Sequence, residues 1–422
     1  MNEPRPVVIV GAGLAGLCCA LKLQENNVPF VILEAADRVG GRVGTDYLGG
    51  FQLDRGFQLF YTAYPEAKSI LNYDALQLQK LANTVLVCFG GKLHKASDPF
   101  RDPITAIPNP FSPIGTVPDK VKASLLRQQI VSKSLKDIFE EKDAQTKAAL
   151  HNHQFSENII NRFFQPYFST VFLEKDLRTS SKMFEFMFNM IANGSITLPS
   201  RGMQAIPDQL AGKLPAERII TQVRVAAVSD YYLQLDTGDE IDAAAVVVAT
   251  DGPDASILLR DLPKPRTHAV TTVYFEAPKP PVTEPSLILN GEGFGRINCV
   301  CVPSLIAPSY APAGKTLVAV TALGEPYDSD AIANNQIKAE LEDWFKADVE
   351  NWRFLKMYRI THAVPDQSPP QLNRAERAVK FRPGMYICGD HRDNATMNGA
   401  MVSGRRAAES VLEDLRFSGQ LH

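Results

Sequence analysis

A basic surplus, long apolar runs and an ordered cysteine pattern are all missing from this chain. Its 44 lysines and arginines stand against 47 acids, a formal charge of −3, so nothing in the charge balance points to nucleic acid. No apolar run reaches the ~18 residues a membrane span requires. The opening MNEPRP has no apolar signal region. A cytoplasmic protein not integral to a membrane is therefore expected. Six cysteines, at 18, 19, 88, 299, 301 and 388, match neither a metal site nor a disulfide framework. Cys299 and Cys301 form a lone CxC, which reads as two side chains on one face of a strand, and no metal is expected. There is also no Ser–His–Asp order and no paired-carboxylate motif, so no side chain is named as acid or base.

What is present begins at Val7. Val7 to Val10 form a short apolar strand, and Gly11, Gly13 and Gly16 complete a GxGxxG turn, with Leu14 and Ala15 inside it, before a helical pattern of Leu17, Ala20, Leu21 and Leu23. A second strand, Phe30 to Leu33, ends on Glu34, eighteen residues beyond Gly16. That spacing suits an acid that reaches the ribose hydroxyls of a dinucleotide, while the helix N-terminus faces the pyrophosphate with unsatisfied N–H groups. Glu34 would repel a ribose 2′-phosphate, so FAD or NAD is expected and NADP is not. The plainer reading is a structural βαβ unit whose glycines serve tight packing alone.

The next segment, Ala35-Ala36-Asp37-Arg38-Val39-Gly40-Gly41-Arg42, resembles the second fingerprint of the flavin amine oxidase, protoporphyrinogen oxidase and phytoene desaturase superfamily. The resemblance implies FAD, with Ala35 beside the ribose acid, Gly40 and Gly41 as a second backbone contact to the pyrophosphate, and Arg42 neutralising its charge. Without it, GGR reads as a loop turn with a solvated arginine. Asp54-Arg55-Gly56-Phe57-Gln58 is similar to a family segment that passes the flavin ring, which implies that Gly56, Phe57 and Gln58 line the isoalloxazine; a plain β-turn is the alternative. Pro199 to Leu210 resembles the passage where such chains return to the flavin domain, and Val223 then falls where relatives contact adenine through a valine backbone.

The far end matches the same family. Gly389-Asp390-His391-Arg392-Asp393 and Thr396-Met397-Asn398-Gly399-Ala400 resemble its "GD … M-E-G-A" segment. By that resemblance Gly389 and Asp390 hold the ribityl and pyrophosphate, while backbone N–H groups at Met397, Asn398 and Gly399, leading to Ala400, stabilise charge on the reduced flavin. An amphipathic helix after a turn is the plain alternative. His391 and Arg392 are candidates for polar groups near the flavin, or for a structural role. No second Rossmann fingerprint exists, which argues against reductases that bind two nucleotides on separate Rossmann units.

Between the two ends, Val85 to Phe89, Gly90-Gly91 and Lys92 to His94 read as a hairpin. Six prolines, Pro99, Pro103, Pro108, Pro110, Pro113 and Pro118, preclude a long helix or central strand over 99–118. This segment and the helix beginning at Asp119 resemble plant and cyanobacterial carotene desaturases, where such a stretch is associated with entry of a lipid-like substrate. That implies peripheral membrane contact; a surface connection is the alternative. Residues 119–195 read as mostly helical, with a Met/Phe stripe at 183–190 that is core or the wall of an apolar cavity. A small sheet is expected from Ile219 to Val228 and Tyr231 to Leu235, a hairpin turn at Gly291, Gly293 and Gly295, and strands or helix at Ala269 to Glu276, Leu287 to Leu289, Arg296 to Val302, Thr316 to Ala322 and Asp328 to Lys346.

The expected fold is α/β: a Rossmann-type FAD-binding domain assembled from discontinuous segments 1–84, 199–258 and 376–422, with an inserted α+β substrate domain of mixed sheet and helices over 85–198 and 259–375. Two departures from the amine oxidases weaken an amine substrate: the strand Ala269 to Phe275 has no lysine, and Thr396 stands where a cage aromatic is usual. No cysteine lies near Tyr358 to Asp366, so the FAD should be non-covalent. The expected function is an FAD-dependent dehydrogenase or desaturase that abstracts hydride from an apolar, isoprenoid or carotenoid-like small molecule and uses an external electron acceptor. Alternatives are a redox-neutral isomerase of a similar substrate, a flavin amine oxidase, and a flavin-binding interaction protein. The acceptor and the oligomeric state stay open.

Overall fold

The computed structural model describes residues 5–97, 113–324, 327–373 and 376–417. Val7–Val10, buried throughout, pairs in parallel with Phe30–Leu33 on one side and Ala245–Val248 on the other, Val7 lying opposite both Phe30 and Ala245. Such uninterrupted apolar strands are what a sheet covered on both faces demands. The full order is Ile219–Ile220, Phe30–Leu33, Val7–Val10, Ala245–Val248, Met385–Ile387 and Lys380–Arg382, parallel except for the last pair. One six-stranded sheet thus gathers stretches from both ends and the middle of the chain.

Val7 and Ile9 face the helices Leu14–Glu25 and Met397–Phe417, while Val8 and Val10 face a meander of Val225–Ser229, Tyr232–Leu235 and Glu240–Asp242. The two helices pack so closely that a Cβ on Gly404 would stand 2.0 Å from the Ala15 carbonyl oxygen. Only glycine permits that approach.

A second sheet has seven strands in the order Arg353–Pro365, Thr267–Ala277, Thr316–Leu323, Ile297–Cys301, Leu287–Asn290, Thr84–Phe89 and Lys92–Ser97. Its pairs are antiparallel except Leu287–Asn290 with Thr84–Phe89. Period-two alternation sorts its side chains. Val273, Phe275, Val318 and Val320 pack with Ile337 and Leu341 of the helix Asp330–Phe345, whereas Tyr274, Leu317, Ala319, Cys299 and Cys301 face the larger core. The CxC cysteines therefore share a face, as their spacing suggests. Gly90 and Gly91, at φ 60° and 65°, turn the hairpin between Thr84–Phe89 and Lys92–Ser97.

Helices fill Val117–Ser132, Leu135–Glu140, Thr146–Asn152, Gln165–Phe172 and Ser181–Asn193. The first begins two residues before Asp119, because Pro118 fits its first turn and Thr116 and Asp119 form a reciprocal cap. Phe184, Phe186, Met187 and Phe188 are buried, so the Met/Phe stripe is core. The proline-rich stretch of 99–112 lies outside the described residues.

One expected element is corrected. Ile219 to Val228 is not a single strand: Ile219–Ile220 joins the parallel sheet and the meander starts at Val225. Gln222 sits at φ 59° between them, and its N–H donates to the Ala36 carbonyl at 2.9 Å, which bends the chain out of the sheet.

Asp54, at the end of the strand Phe51–Asp54, ties three separate segments to the seven-stranded sheet. Its carboxylate accepts from Thr45 Oγ1 at 2.6 Å, Met203 N–H at 3.0 Å and Tyr310 Oη at 2.9 Å, and its carbonyl accepts from Tyr274 Oη at 2.9 Å. Burial pushes this acid up to about 6, against the pull of those hydrogen bonds.

Candidate FAD and substrate site

A cavity of about 760 Å³ opens at the carboxyl ends of the parallel strands, past Val10, Leu33 and Ala249, and continues to the seven-stranded sheet. Open α/β sheets bind ligands at that edge. At the first end stands Glu34, with one carboxylate oxygen accepting from Ala12 N–H at 2.6 Å and the other from Ala36 N–H at 2.8 Å. Ala35 lies beside it in the wall. Val223 is there as well, but its N–H donates to the Glu34 carbonyl at 2.9 Å, so its carbonyl is what it can offer a base.

Next comes the start of the helix Leu14–Glu25, whose N-cap, Gly13, supplies no side-chain cap. Gly11, Gly13, Leu14 and Ala15 line the cavity, and no heavy atom lies within 4 Å of where a Gly13 Cβ would stand. Gly16 is not in the wall: a Cβ there would meet the Gly11 carbonyl oxygen at 2.0 Å, so it serves the tight turn. The GGR turn closes over this one. Gly40 N–H donates to the Ala12 carbonyl at 2.9 Å, and Gly40, Gly41 and Arg42 all reach the cavity.

Arg42 binds Asp390. Its Nη1 and Nη2 each donate to one Asp390 oxygen at 2.8 Å, and Nη1 also donates to the Ala363 carbonyl at 2.9 Å. Burial alone would push the Asp390 carboxyl up; the guanidinium's charge and its paired hydrogen bonds outweigh that and hold it below its usual range. The sequence reading gave these residues separate ligand contacts, on pyrophosphate and ribityl. In the structure they also neutralise one another and lock the two chain ends together beside Gly389.

Further along, Gly56, Phe57 and Gln58 share the wall with Tyr61 and Tyr64. Gln58 Nε2 donates to the Arg42 carbonyl at 2.9 Å, and Phe57 N–H to Thr272 Oγ1 at 3.2 Å, which places this segment between the sheets. Met397 and Ala400 reach the cavity, but Asn398 and Gly399 do not. Thr396 Oγ1 accepts from Gly399 N–H at 3.1 Å, and Asn398 Oδ1 accepts from Glu66 N–H at 2.9 Å. The expected row of three N–H groups is thus shortened, because the helix caps itself with Thr396.

Neither His391 nor Arg392 lines the cavity, which favours the structural role of the two readings. The His391 side chain is 4% exposed, and neither ring nitrogen has a hydrogen-bond partner. Burial pushes it down to about 4, against the opposing charge of Asp390, so the ring is neutral near pH 7. Arg392 turns away and donates to the Ala378 carbonyl. Burial, then Arg377 and Arg406, push it down to about 10.

The far wall was not named from sequence. It comprises Val171 and Leu173 at the C-terminal end of the helix Gln165–Phe172, and Val270, Cys299, Thr321 and Ile360 from the seven-stranded sheet. The period-two alternation of those strands was the available signal. Val270 is the member of the Ala269 to Phe275 stretch that enters the wall, and no lysine lines the cavity among the described residues.

These residues fit FAD. The open cradle at Gly13, the uncapped helix start and the guanidinium beside it suit a diphosphate, and Glu34 suits a diol. Among the described residues no helix is long and apolar enough to cross a membrane, and no cluster of histidine, cysteine and acid could hold a metal.

The chain is similar to coproporphyrinogen III oxidase of Mycobacterium tuberculosis, with 22% identity over 98% of both chains. Among solved structures it resembles an oxidoreductase from Methanosarcina mazei, with a TM-score of 0.74 and 19% identity over 97% of this chain and all of that one. It also resembles putrescine oxidase bound to putrescine, with a TM-score of 0.70 and 17% identity over 97% and 99%. The sequence profile of the flavin-containing amine oxidoreductases matches residues 14–412, and the chain belongs to that family as a flavin oxidoreductase.

Proposed function

We propose that this protein is an FAD-dependent dehydrogenase or desaturase that takes hydride from an uncharged, apolar small molecule of isoprenoid type and passes the electrons to an external acceptor. One observation carries the substrate class. The acids of the cavity wall, Glu34, Asp251, Asp254 and Asp390, and its cations, Arg42 and Arg224, all lie on segments of the cofactor sheet or the meander, while Val171, Leu173, Val270, Cys299, Thr321 and Ile360 carry no charge. A polyamine would lack a carboxylate there and a polycarboxylate would lack a cation, and buried charges need partners.

Bound FAD would supply the hydride acceptor. Glu34 would hold the ribose, the Leu14–Glu25 helix start and the GGR turn the diphosphate, and Gly56 to Gln58 the ring edge. The apolar wall would exclude water from the reacting carbon. No cysteine lies in the Tyr358 to Asp366 stretch, which favours non-covalent binding. The proposal also takes 1–84, 199–258 and 376–422 as the cofactor unit and 85–198 and 259–375 as the substrate unit; in its support, every strand of the six-stranded sheet comes from the first set. Peripheral membrane contact of a cytoplasmic protein belongs to the same proposal: Val117, Val121 and Leu125 are exposed along one side of the helix Val117–Ser132.

Anaerobic mixing tests the proposal. A neutral isoprenoid should bleach the visible flavin band, whereas coproporphyrinogen III and putrescine should not. Bleaching by either charged compound alone would overturn it. A product of unchanged mass would make the reaction an isomerisation.

A further inference from the structure

The hairpin of Thr45–Leu48 and Phe51–Asp54 carries a carboxylate with more cations than it can neutralise. Asp46 pairs with Lys356 Nζ at 2.7 Å, with Arg55 Nε at 3.2 Å and with Arg38, and it also accepts from Tyr358 Oη at 2.8 Å. Glu276 is likewise shared, by Lys315 at 2.6 Å and by Arg353. The register sets Tyr274 opposite Lys356 and Glu276 opposite Arg353, so both groups lie at one end of the seven-stranded sheet. The hairpin tip joins them: a Cβ on Gly50 would stand 3.0 Å from Pro312, three residues before Lys315. Five cations, all keeping exposed surface, thus surround two acids in a chain whose formal charge is −3. Counting the exposed Asp37 next to Arg38 still leaves a positive surplus. Between Asp46 and the tip, Tyr47 and Leu48 are 66% and 42% exposed.

This patch backs on the cavity wall assigned to the flavin ring. Arg55 directly precedes Gly56, Phe57 and Gln58, and a Cβ on Gly56 would stand 2.5 Å from Ile360 Cδ1 in that wall. Lys356, Tyr358 and Ile360 lie opposite Tyr274, Thr272 and Val270, so the three share a face of the strand Arg353–Pro365. At ~3.3 Å per residue, Lys356 is about 13 Å along the strand from Ile360. An apolar centre with a charged rim is the make-up of a protein contact, and its cations would steer an acidic partner. Two apolar side chains bury too little to anchor a lipid surface, whereas a tyrosine is a favoured anchor at the centre of a protein interface.

We propose that this surface docks the external electron acceptor, and that the acceptor is a small acidic one-electron carrier protein. This rests on the proposed reading of an FAD oxidoreductase with an external acceptor. Lys315 and Arg353 steer the carrier, Tyr47 and Leu48 touch it, and the segment of residues 55–58 separates it from the ring. Two oxidised carriers are reduced for each FAD reoxidised, and the hydride held by the flavin leaves as those two electrons and one proton to solvent.

The FAD-loaded full-length protein, photoreduced without oxygen so that no substrate is needed, is mixed with oxidised plastocyanin, which is acidic, or oxidised cytochrome c, which is basic. Flavin absorbance gives the reoxidation rate, and calorimetry gives the affinity of the oxidised protein for plastocyanin. Plastocyanin should act about tenfold faster than cytochrome c at low salt, and should slow about tenfold as ionic strength rises to ~0.2 M. Lys315→Glu combined with Arg353→Glu, both on the surface, should weaken plastocyanin binding and slow its reduction about tenfold, while reoxidation by the neutral duroquinone stays unchanged. Tyr47→Ser combined with Leu48→Ser should weaken binding several-fold with the salt dependence kept. Cytochrome c as fast as plastocyanin, no binding of plastocyanin, or binding indifferent to salt and to the charge reversals would each overturn the inference. So would binding to phosphatidylglycerol vesicles that the charge reversals abolish while plastocyanin reduction is untouched, since the patch would then face lipid. A protein that takes up no FAD fails the functional proposal instead.

Discussion

The two ends of the cavity are built by different means. At the cofactor end, backbone does the work: Gly13 leaves a cradle, Gly16 and Gly404 allow approaches that any side chain would block, and the Arg42–Asp390 pair ties residues 348 apart in the chain. At the opposite end, side chains of ordinary sheet strands form the wall together with Val171 and Leu173 at the end of the helix Gln165–Phe172. The cofactor end therefore tolerates little variation in residue type, while on the proposed reading substrate choice would rest on a few side chains that the fold itself does not require.

Substitutions should expose that asymmetry. The largest effect is expected of Gly16→Val, whose side chain would collide with the Gly11 carbonyl; FAD content should fall to near zero and the protein should unfold or aggregate on purification. Asp390→Ala strands the Arg42 guanidinium beside the diphosphate site, and chemical denaturation should show a loss of ~3 kcal/mol together with weaker FAD retention. His391 gives a pH signature. Its folded pKa of about 4 lies below the ordinary 6.5, so between those values the unfolded chain binds the proton that the folded one refuses. Stability should fall as pH drops from about 6.5 towards 4, by up to ~1.4 kcal/mol per pH unit. The opposing charge of Asp390 and the repulsion of Arg392, Arg42 and Arg377 are already part of that depressed value. His391→Asn should flatten this slope in denaturation curves. The smallest effect is expected of Val270→Ala at the opposite end: ~1 kcal/mol of stability, unchanged FAD content, and a KM that moves several-fold while the flavin spectrum does not.

The same asymmetry decided what the sequence revealed. Gly11, Gly13, Gly16, Glu34 and the GGR turn were legible because a dinucleotide site dictates residue type at fixed spacing, and the strand periods announced most of the seven-stranded sheet. The mutual pairing of Arg42 and Asp390 was hidden, since each reads locally as a ligand contact and nothing local reports a partner 348 residues away. His391 follows the cofactor acid directly in the chain, yet it is turned into the protein behind it. The break at Gln222 escaped because Ile219 to Val228 is apolar enough for one strand, and only a hydrogen bond to Ala36 shows where the chain leaves the sheet. Thr321 carries no motif at all. Its placement follows from register, which fixes that it shares a face with Cys299 and Thr272.

The most direct test of the split site is the flavin itself. The purified protein is precipitated with acid, and the supernatant and pellet are analysed by absorbance and mass. One FAD per chain released into the supernatant is expected. A colourless protein that cannot be reconstituted with FAD, or flavin that stays with the pellet, would contradict a dissociable FAD held between the two chain ends.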